Sequence, residues 1–377
     1  MKKAFLVALI ALLAIGGTVF AGGAQETKGG AQETKKGGLD IGIAMPETHV
    51  ARWVTDGKKL QENAEALGYK AEWISADGDQ TKQNKQIQDF ITKGVKLIIV
   101  ASINTGINAV LPDVAREGIE IISYDRLLMD SGDFNYYTTF NLKKVGFLQA
   151  TAIVQALNLD KATSPKYITL FAGSPTDNNA YFFYDGAMEV LNPYIKSGKL
   201  KVVGPYPVTS ADKENFQRIS TEGWRAEYAK KRMENLLTND AKDVVLDAVL
   251  APNDPVGRAI IEACMNDAKY DTIAKLPIVT GQDGELATVQ YILEGKQYMT
   301  VFKDSRDLAA ATIKLADAIL KKQTPNIPGT VKTTFNTNVK DVTTYLLDPV
   351  LVTKDNVKKV IIDSGYYTKD ELKTIGQ

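Results

Sequence analysis

The chain has 377 residues, in which 45 lysines and arginines balance 45 aspartates and glutamates. Zero formal charge excludes long-range steering toward nucleic acid or an anionic membrane, so a partner has to be recognised locally. One cysteine, Cys264, excludes an internal disulfide, and together with one histidine, His49, it excludes a zinc site built from these residue types.

Met1-Lys2-Lys3 precedes an apolar run over 4–15, and Val19-Phe20-Ala21 has the small residues that a signal peptidase accepts, which predicts a signal peptide over 1–21. Gly16, Gly17 and Thr18 stop the run well short of the about 20 apolar residues a spanning helix needs. No cysteine stands at the cleavage site to carry a lipid. The heptapeptide GGAQETK then occurs twice, at 22–28 and 29–35. It has nothing to bury, cannot offset its ordering entropy, and is expected to be a flexible leader over 22–38.

From Leu39 onward short β-branched runs alternate with helical patterns. Strands are predicted at 40–45, 70–74, 96–101 and 118–123, and helices at 50–67, 80–93 and 107–117. The strands LIIV and IEII are nearly all apolar, as a parallel sheet covered on both faces requires. A second series follows, with strands at 167–171, 200–206, 246–250, 277–280 and 298–302. Its helices fall at 179–192, 222–238, 256–267 and 285–294, with helix 305–322 and the stretch 345–353 left over. The fold class is therefore α/β, with two doubly wound parallel-sheet lobes and a chain that crosses between them more than once.

In open parallel sheets ligands bind outside the carboxyl ends of the strands. Arg52 and Trp53 follow the first strand, Asp125 and Arg126 the fourth, and Asp177, Asn178 and Asn179 the first strand of the second lobe. Trp224, Asn253, Asp283 and Lys303 lie beyond later strands. Carboxylates and amides accept from hydroxyls, guanidinium and ammonium groups donate to them, and an indole stacks on a C–H face, so the inventory fits a sugar. Each residue taken singly also has a structural reading. Trp53 fits a helix core, Asp125-Arg126 an ion pair, the Asp177–Asn179 run a helix cap, and Asp254-Pro255 a cap with proline at the first helical position.

The strings that carry these residues are Arg52-Trp53, ISYDR at 122–126, GSPTDNNA at 173–180, YDGAM at 184–188, EGW at 222–224, APND at 251–254, GQD at 281–283 and FKD at 302–304. Over about 39–376 the sequence resembles the periplasmic monosaccharide-binding proteins of the xylose and multiple-sugar type, within the ribose-binding-like class. The resemblance implies a type 1 periplasmic binding fold, an N-terminal lobe of 39–142 plus 304–340 and a C-terminal lobe of 143–303 plus 341–377. It implies hinge strands near 140–144, 303–305 and 338–344. It also implies a monomer in the periplasm that closes on an aldopyranose, xylose ahead of glucose, galactose and arabinose, and docks on the membrane permease of an ABC transporter. The alternative partner is a chemoreceptor. Arg52 and Arg126 would donate to sugar oxygens, and Asp125, Asn253 and Asp283 would take hydroxyls. Asn179, with Asp177 or Asn178, would contact the sugar from the second lobe, Trp53 and Trp224 would sandwich the ring, and Lys303 would close the floor. Pro255 departs from the family pattern, which has a small flexible residue there.

Neither an enzyme nor a repressor is expected. The chain has no G-x-S-x-G elbow and no G-x-x-x-x-G-K-[ST] phosphate loop, and any histidine-dependent triad would have to use His49, read as a solvated loop residue. Paired carboxylates such as Asp125 and Asp283 leave glycosidase chemistry open on composition alone. Asp77-Gly78-Asp79 looks like the start of a calcium loop, but Gln88 stands where the bidentate acid belongs. A sugar-responsive repressor would begin with a DNA-binding helix-turn-helix rather than an export signal. No cofactor and no metal are expected, and Cys264 reads as a small buried apolar residue.

Overall fold

A computed structural model of the chain describes residues 38–374. The expected signal peptide, and all of the expected leader except Gly38, lie outside the described residues.

The first lobe is built on strands β1 (Ile41–Met45), β2 (Ala71–Ser75), β3 (Leu97–Val100), β4 (Glu120–Tyr124) and β5 (Tyr136–Phe140). The second contains β6 (Lys166–Leu170), β7 (Leu200–Val202), β8 (Ala248–Leu250) and β9 (Ile278–Val279). Then come β10 (Met299–Phe302), β11 (Val331–Asn336), β12 (Asp341–Leu347) and β13 (Val350–Thr353). The helices, in chain order, are α1 (Arg52–Ala66), α2 (Gln80–Thr92), α3 (Leu111–Arg116), α4 (Leu142–Ala156), α5 (Asn178–Lys196), α6 (Lys213–Ile219), α7 (Ala226–Thr238), α8 (Asp254–Met265), α9 (Leu286–Glu294), α10 (Ser305–Leu320) and α11 (Lys369–Thr374).

The strands form a seven-stranded sheet of order β11-β12-β5-β4-β3-β1-β2, a four-stranded sheet of order β7-β6-β8-β9, and the pair β10-β13. Both larger sheets are parallel except at β11, which runs antiparallel to β12. Alternate residues of each strand enter different cores. In the first sheet Ile41, Ile43, Leu97, Ile99 and Ile122 fill one face, and Ile98, Val100 and Ile121 the other. This is the pattern that the nearly all-apolar runs demand, because a strand buried on both faces has almost no polar side to spare.

Several helices start on a cap at a strand's carboxyl end. Asp79 caps α2, Asn141 caps α4, Asp177 caps α5, Asn253 caps α8 and Asp304 caps α10. Each side-chain oxygen satisfies an otherwise orphaned N–H. The same edge therefore concentrates polar side chains for reasons of folding before any ligand is considered.

Five elements are absent from the expected order: β5, α4, α6, β11 and α11. Helix α4 begins directly at the crossing from one lobe to the other, where 140–144 is expected to be hinge. Strand β11 is an exposed edge whose VKTTFN sequence buries almost nothing. Strand β7 stops at Val202 rather than 206 as Pro205 is approached, and the helix expected from 222 starts at Ala226 because Gly223 and Trp224 both have positive φ.

The third crossing also differs. Residues 341–347 are expected in the second lobe, with a hinge at 338–344. Instead β12 pairs with β5 in the first sheet along its length, from Thr343–Tyr136 to Leu347–Phe140. The chain crosses back only at 348–349, ahead of β13, which pairs with β10. Local pattern cannot separate two lobes of identical class, whereas the hydrogen-bonded ladder does.

Candidate functional site

Between the carboxyl ends of the two sheets lies a cavity whose free space, counted with the part open to solvent, is about 300 Å³. It is lined by Val50, Arg52 and Trp53 at the start of α1, by Asp125 and Arg126 after β4, and by Asp177, Asn179 and Phe183 of the α5 start. Trp224, Asn253, Gln282, Asp283 and Lys303 complete it. Ten of the eleven expected ligand-binding residues thus meet in one place. The exception is Asn178: as the first residue of α5 it turns away from its neighbours and lines an adjacent cavity instead.

The charges form two ion-pair clusters, one around Arg52 and Lys303 and one around Arg126. Arg52 Nη1 lies 2.9 Å from Asp125 Oδ2 and 3.5 Å from Asp283 Oδ1, while its Nη2 donates to Asp56 Oδ2 at 2.7 Å. Lys303 Nζ is 2.9 Å from Asp283 Oδ1 and 3.9 Å from Asp125 Oδ2. Arg126 joins Glu47 through Nη2 at 2.8 Å and Asp177 through Nε at 2.9 Å. Burial works against the charge of Arg52, but Asp125, Asp56 and Asp283 outweigh it and raise the guanidinium well above its ordinary value. Burial alone would raise the Asp125 carboxyl, yet Arg52 and Lys303 hold it below the usual carboxylate range. Asp125 Oδ2, Asp283 Oδ1 and Gln282 Oε1 are buried acceptors that receive no hydrogen bond of good geometry within the protein. They are suited to accept from hydroxyl groups.

Asp125 sits on a strained turn. Its φ is +57°, and Arg126 N donates to Tyr124 O at 2.6 Å across it, a γ-turn of the rarer positive-φ form. The Asp125 carbonyl accepts from Tyr137 Oη at 2.6 Å, Asn179 Nδ2 at 2.9 Å and Thr139 Oγ1 at 3.1 Å. Three donors on one carbonyl over-determine a conformation that would otherwise relax. One of them, Asn179, comes from the other lobe.

The two indoles are held by their N–H groups. Trp53 Nε1 donates to Glu47 Oε1 at 3.1 Å, and its ring lies beneath the Arg52 and Arg126 guanidiniums at 4.7 and 4.9 Å. Trp224, at φ +59°, donates from Nε1 to Asp177 Oδ2 at 3.1 Å and rests on Gly173. A Cβ at Gly173 would lie 2.0 Å from the indole Cη2, so this glycine is what lets the ring approach the backbone.

Some residues have structural roles as well. Asp177 caps α5 through Asn179 N at 2.9 Å, and Asn253 caps α8 through Val256 N at 3.3 Å. It is Asn253, not Asp254, that caps this helix, and Pro255 lies one residue beyond the first helical position. Asp254 is fully buried, accepts from Thr300 Oγ1 and Glu285 N, and burial beside Glu285 raises its carboxyl well above the ordinary range.

Glu47, Asp56, Gln282 and Phe183 were not among the expected site residues. Glu47 follows β1 in the same loop as His49, and Asp56 stands four residues after Arg52, a spacing that places the two side chains on one helix face. Those were the available signals. His49 does not line the cavity. Its Nε2 lies 3.1 Å from the carbonyl of Gly223 in the opposite lobe, across the cavity mouth.

Among the described residues no group of three or more His, Cys, Asp or Glu side chains is placed to hold a metal. Asp77 pairs with Lys82, and Asp79 serves as the α2 cap. Cys264 is buried, and burial pushes its thiol up to about 12.

Residues 41–324 match the periplasmic binding protein domain family. The chain is 40% identical to the multiple sugar-binding periplasmic receptor ChvE of Rhizobium radiobacter, over 98% of this chain and 99% of that protein. It is 36% identical to the D-xylose-binding periplasmic protein of Escherichia coli, over 89% and 92%. Among solved structures it is similar to an ABC transporter solute binding protein from Clostridium phytofermentans with bound β-D-glucose, at 38% identity and a TM-score of 0.80, covering 88% of this chain and 99% of that one.

Proposed function

The chain belongs to the periplasmic binding protein domain family, and from that premise we propose that it is the sugar-binding component of an ABC transporter, closing its two lobes on one monosaccharide. The observation that carries this reading is the convergence of three cationic side chains, carboxylates, amides and two indoles from both lobes on one cavity. Asp125 and Asp283 accept from sugar hydroxyls, and Arg52 and Lys303, each bridging both carboxylates, orient them and donate to sugar oxygens. Asn253 keeps its amide N–H donors for the ligand beside its capping bond, while the Asn179 amide fixes Asp125 from the opposite lobe. Trp53 and Trp224 cover the C–H faces of the ring. A ligand that touches both lobes only when they meet stabilises the closed form, and that form presents the sugar to the membrane permease as a monomer.

The named relatives support an aldopyranose, with D-xylose and D-glucose as first candidates. They are named for binding, not for catalysis, and export of this chain to the periplasm accords with their names.

Titration calorimetry against D-xylose, D-glucose, D-galactose and L-arabinose tests the reading. Xylose or glucose is expected to bind most tightly and to be recovered unchanged. Tight binding of an amino acid or peptide with no response to any sugar would overturn it, and hydrolysis of a nitrophenyl glycoside would replace a receptor with an enzyme.

A further inference from the structure

A second cleft adjoins the first, its free space about 300 Å³ when the part open to solvent is counted, and the two share a wall formed by Arg126 and Asp177. From the first lobe it is lined by the buried side chains of Ile107 and Leu127 and by Asn104, and from the second by Thr176 and Asn178. An apolar floor with amides and a hydroxyl at its rim suits a saturated ring that bears hydroxyl groups.

The shared wall is braced from both sides. Arg126 is tied to Glu47 at 2.8 Å and to the Ser102 carbonyl at 3.1 Å, within its own lobe. Asp177 is tied to Asn179 N and Trp224 Nε1, within the other. The two meet at 2.9 Å with side chains only 7% and 5% exposed. The wall is therefore assembled by lobe closure itself, from a charge pair that has almost no water to fall back on.

We infer that the Arg126–Asp177 pair sets the length of the ligand: it ends the site after one sugar ring, and the cavity behind it is the space a second, glycosidically linked ring would occupy were the pair absent. A linkage running from one cavity to the other has to pass between the two side chains. That leaves the buried Asp177 carboxylate without its cation and Arg126 with Glu47 as its one remaining carboxylate, a loss that a neutral sugar cannot make good. The inference rests on the monosaccharide reading above.

The test is calorimetry on the intact protein with D-xylose and D-glucose and with their β-1,4-linked disaccharides, xylobiose and cellobiose. The unaltered protein is expected to favour the single ring by at least about a hundredfold. In Asp177→Ser, which keeps a helix cap and opens the wall, that ratio falls at least about tenfold, and adding Asn178→Tyr, which fills the second cavity, restores it. Should the serine variant not fold, Asp177→Asn keeps the size and the cap but removes the charge, and the ratio falls at least about threefold. Three results overturn the inference: equal affinity of the unaltered protein for one and two rings, a ratio that the Asp177 variants leave unchanged while they still bind the single ring, or no restoration by Asn178→Tyr. Failure of the unaltered protein to bind either monosaccharide counts against the sugar reading itself.

Discussion

Asp125 combines two demands that compete in most residues. Its backbone is held in a positive-φ γ-turn by three donors on its carbonyl, and its carboxylate faces Arg52 and Lys303. Asp125→Asn keeps a residue that tolerates the turn and removes only the charge, so sugar affinity is expected to fall at least about thirtyfold in calorimetry, as for losing a hydrogen bond to a charged group. The pH dependence has a definite sign. The folded carboxyl titrates below the ordinary value of about 3.9, so its contribution to stability is fully present above about pH 4 and is lost as pH falls through the lower folded value. Denaturant midpoints of the unaltered protein and of Asp125→Asn should differ by a constant amount between about pH 5 and 7 and converge below about pH 4. At Trp224 the strain is of another kind, because a tryptophan with φ +59° costs about 1–3 kcal/mol and is held there by Asp177 and by contact with Gly173. Gly173→Ala places a methyl inside the indole, and is expected to weaken sugar binding at least about tenfold with a shifted tryptophan emission, since tight cores rarely absorb such an insertion.

Helices α4 and α5 show how closely two elements are joined beneath the site. A Cβ at Gly146 would lie 1.7 Å from the Phe183 carbonyl oxygen, and one at Gly186 would lie 2.1 Å from that of Lys143. Alanine in mid-helix ordinarily gains about 1 kcal/mol over glycine. Here the added methyl meets backbone, which cannot rotate away, so overpacking wins. Gly146→Ala is expected to destabilise by about 2–3 kcal/mol in urea unfolding. Because Phe183 lines the cavity and α5 presents Asp177 and Asn179, the same substitution should also weaken sugar binding. This helix pair carries the site on a rigid support.

At the scale of the whole molecule, the bonds between lobes among the described residues include Arg52 to Asp283, Lys303 to Asp125, Arg126 to Asp177, Asn179 to the Asp125 carbonyl, and His49 to the Gly223 carbonyl. The first four lie among buried side chains of the cavity wall, whereas the His49 bond is exposed. An exposed hydrogen bond contributes about 0.5–1 kcal/mol, so His49→Ala is expected to lower sugar affinity about threefold by favouring the open form, with unfolding of the sugar-free protein unchanged. A loss of affinity beyond about tenfold would mean that the imidazole does more than bridge the mouth.

Much of this protein is legible along the chain. The nearly all-apolar strands LIIV and IEII require cover on both faces, and polar residues after each strand mark the edge where Arg52, Asp125, Asn179 and Asp283 meet, because side-chain burial and strand direction are local consequences of sequence. What tertiary structure decided is of longer range. Asn178 and Asn179 are neighbours of identical chemistry, and only the start of α5 at the Asp177 cap sends Asn179 to the first cavity and Asn178 to the one beside it. Glu47 gains its place through Arg126, which is 79 residues away, and β12 joins the first sheet through a ladder with β5 that spacing does not encode. Periodicity reports which way a residue faces within its own element; which distant group it faces depends on how the elements pack.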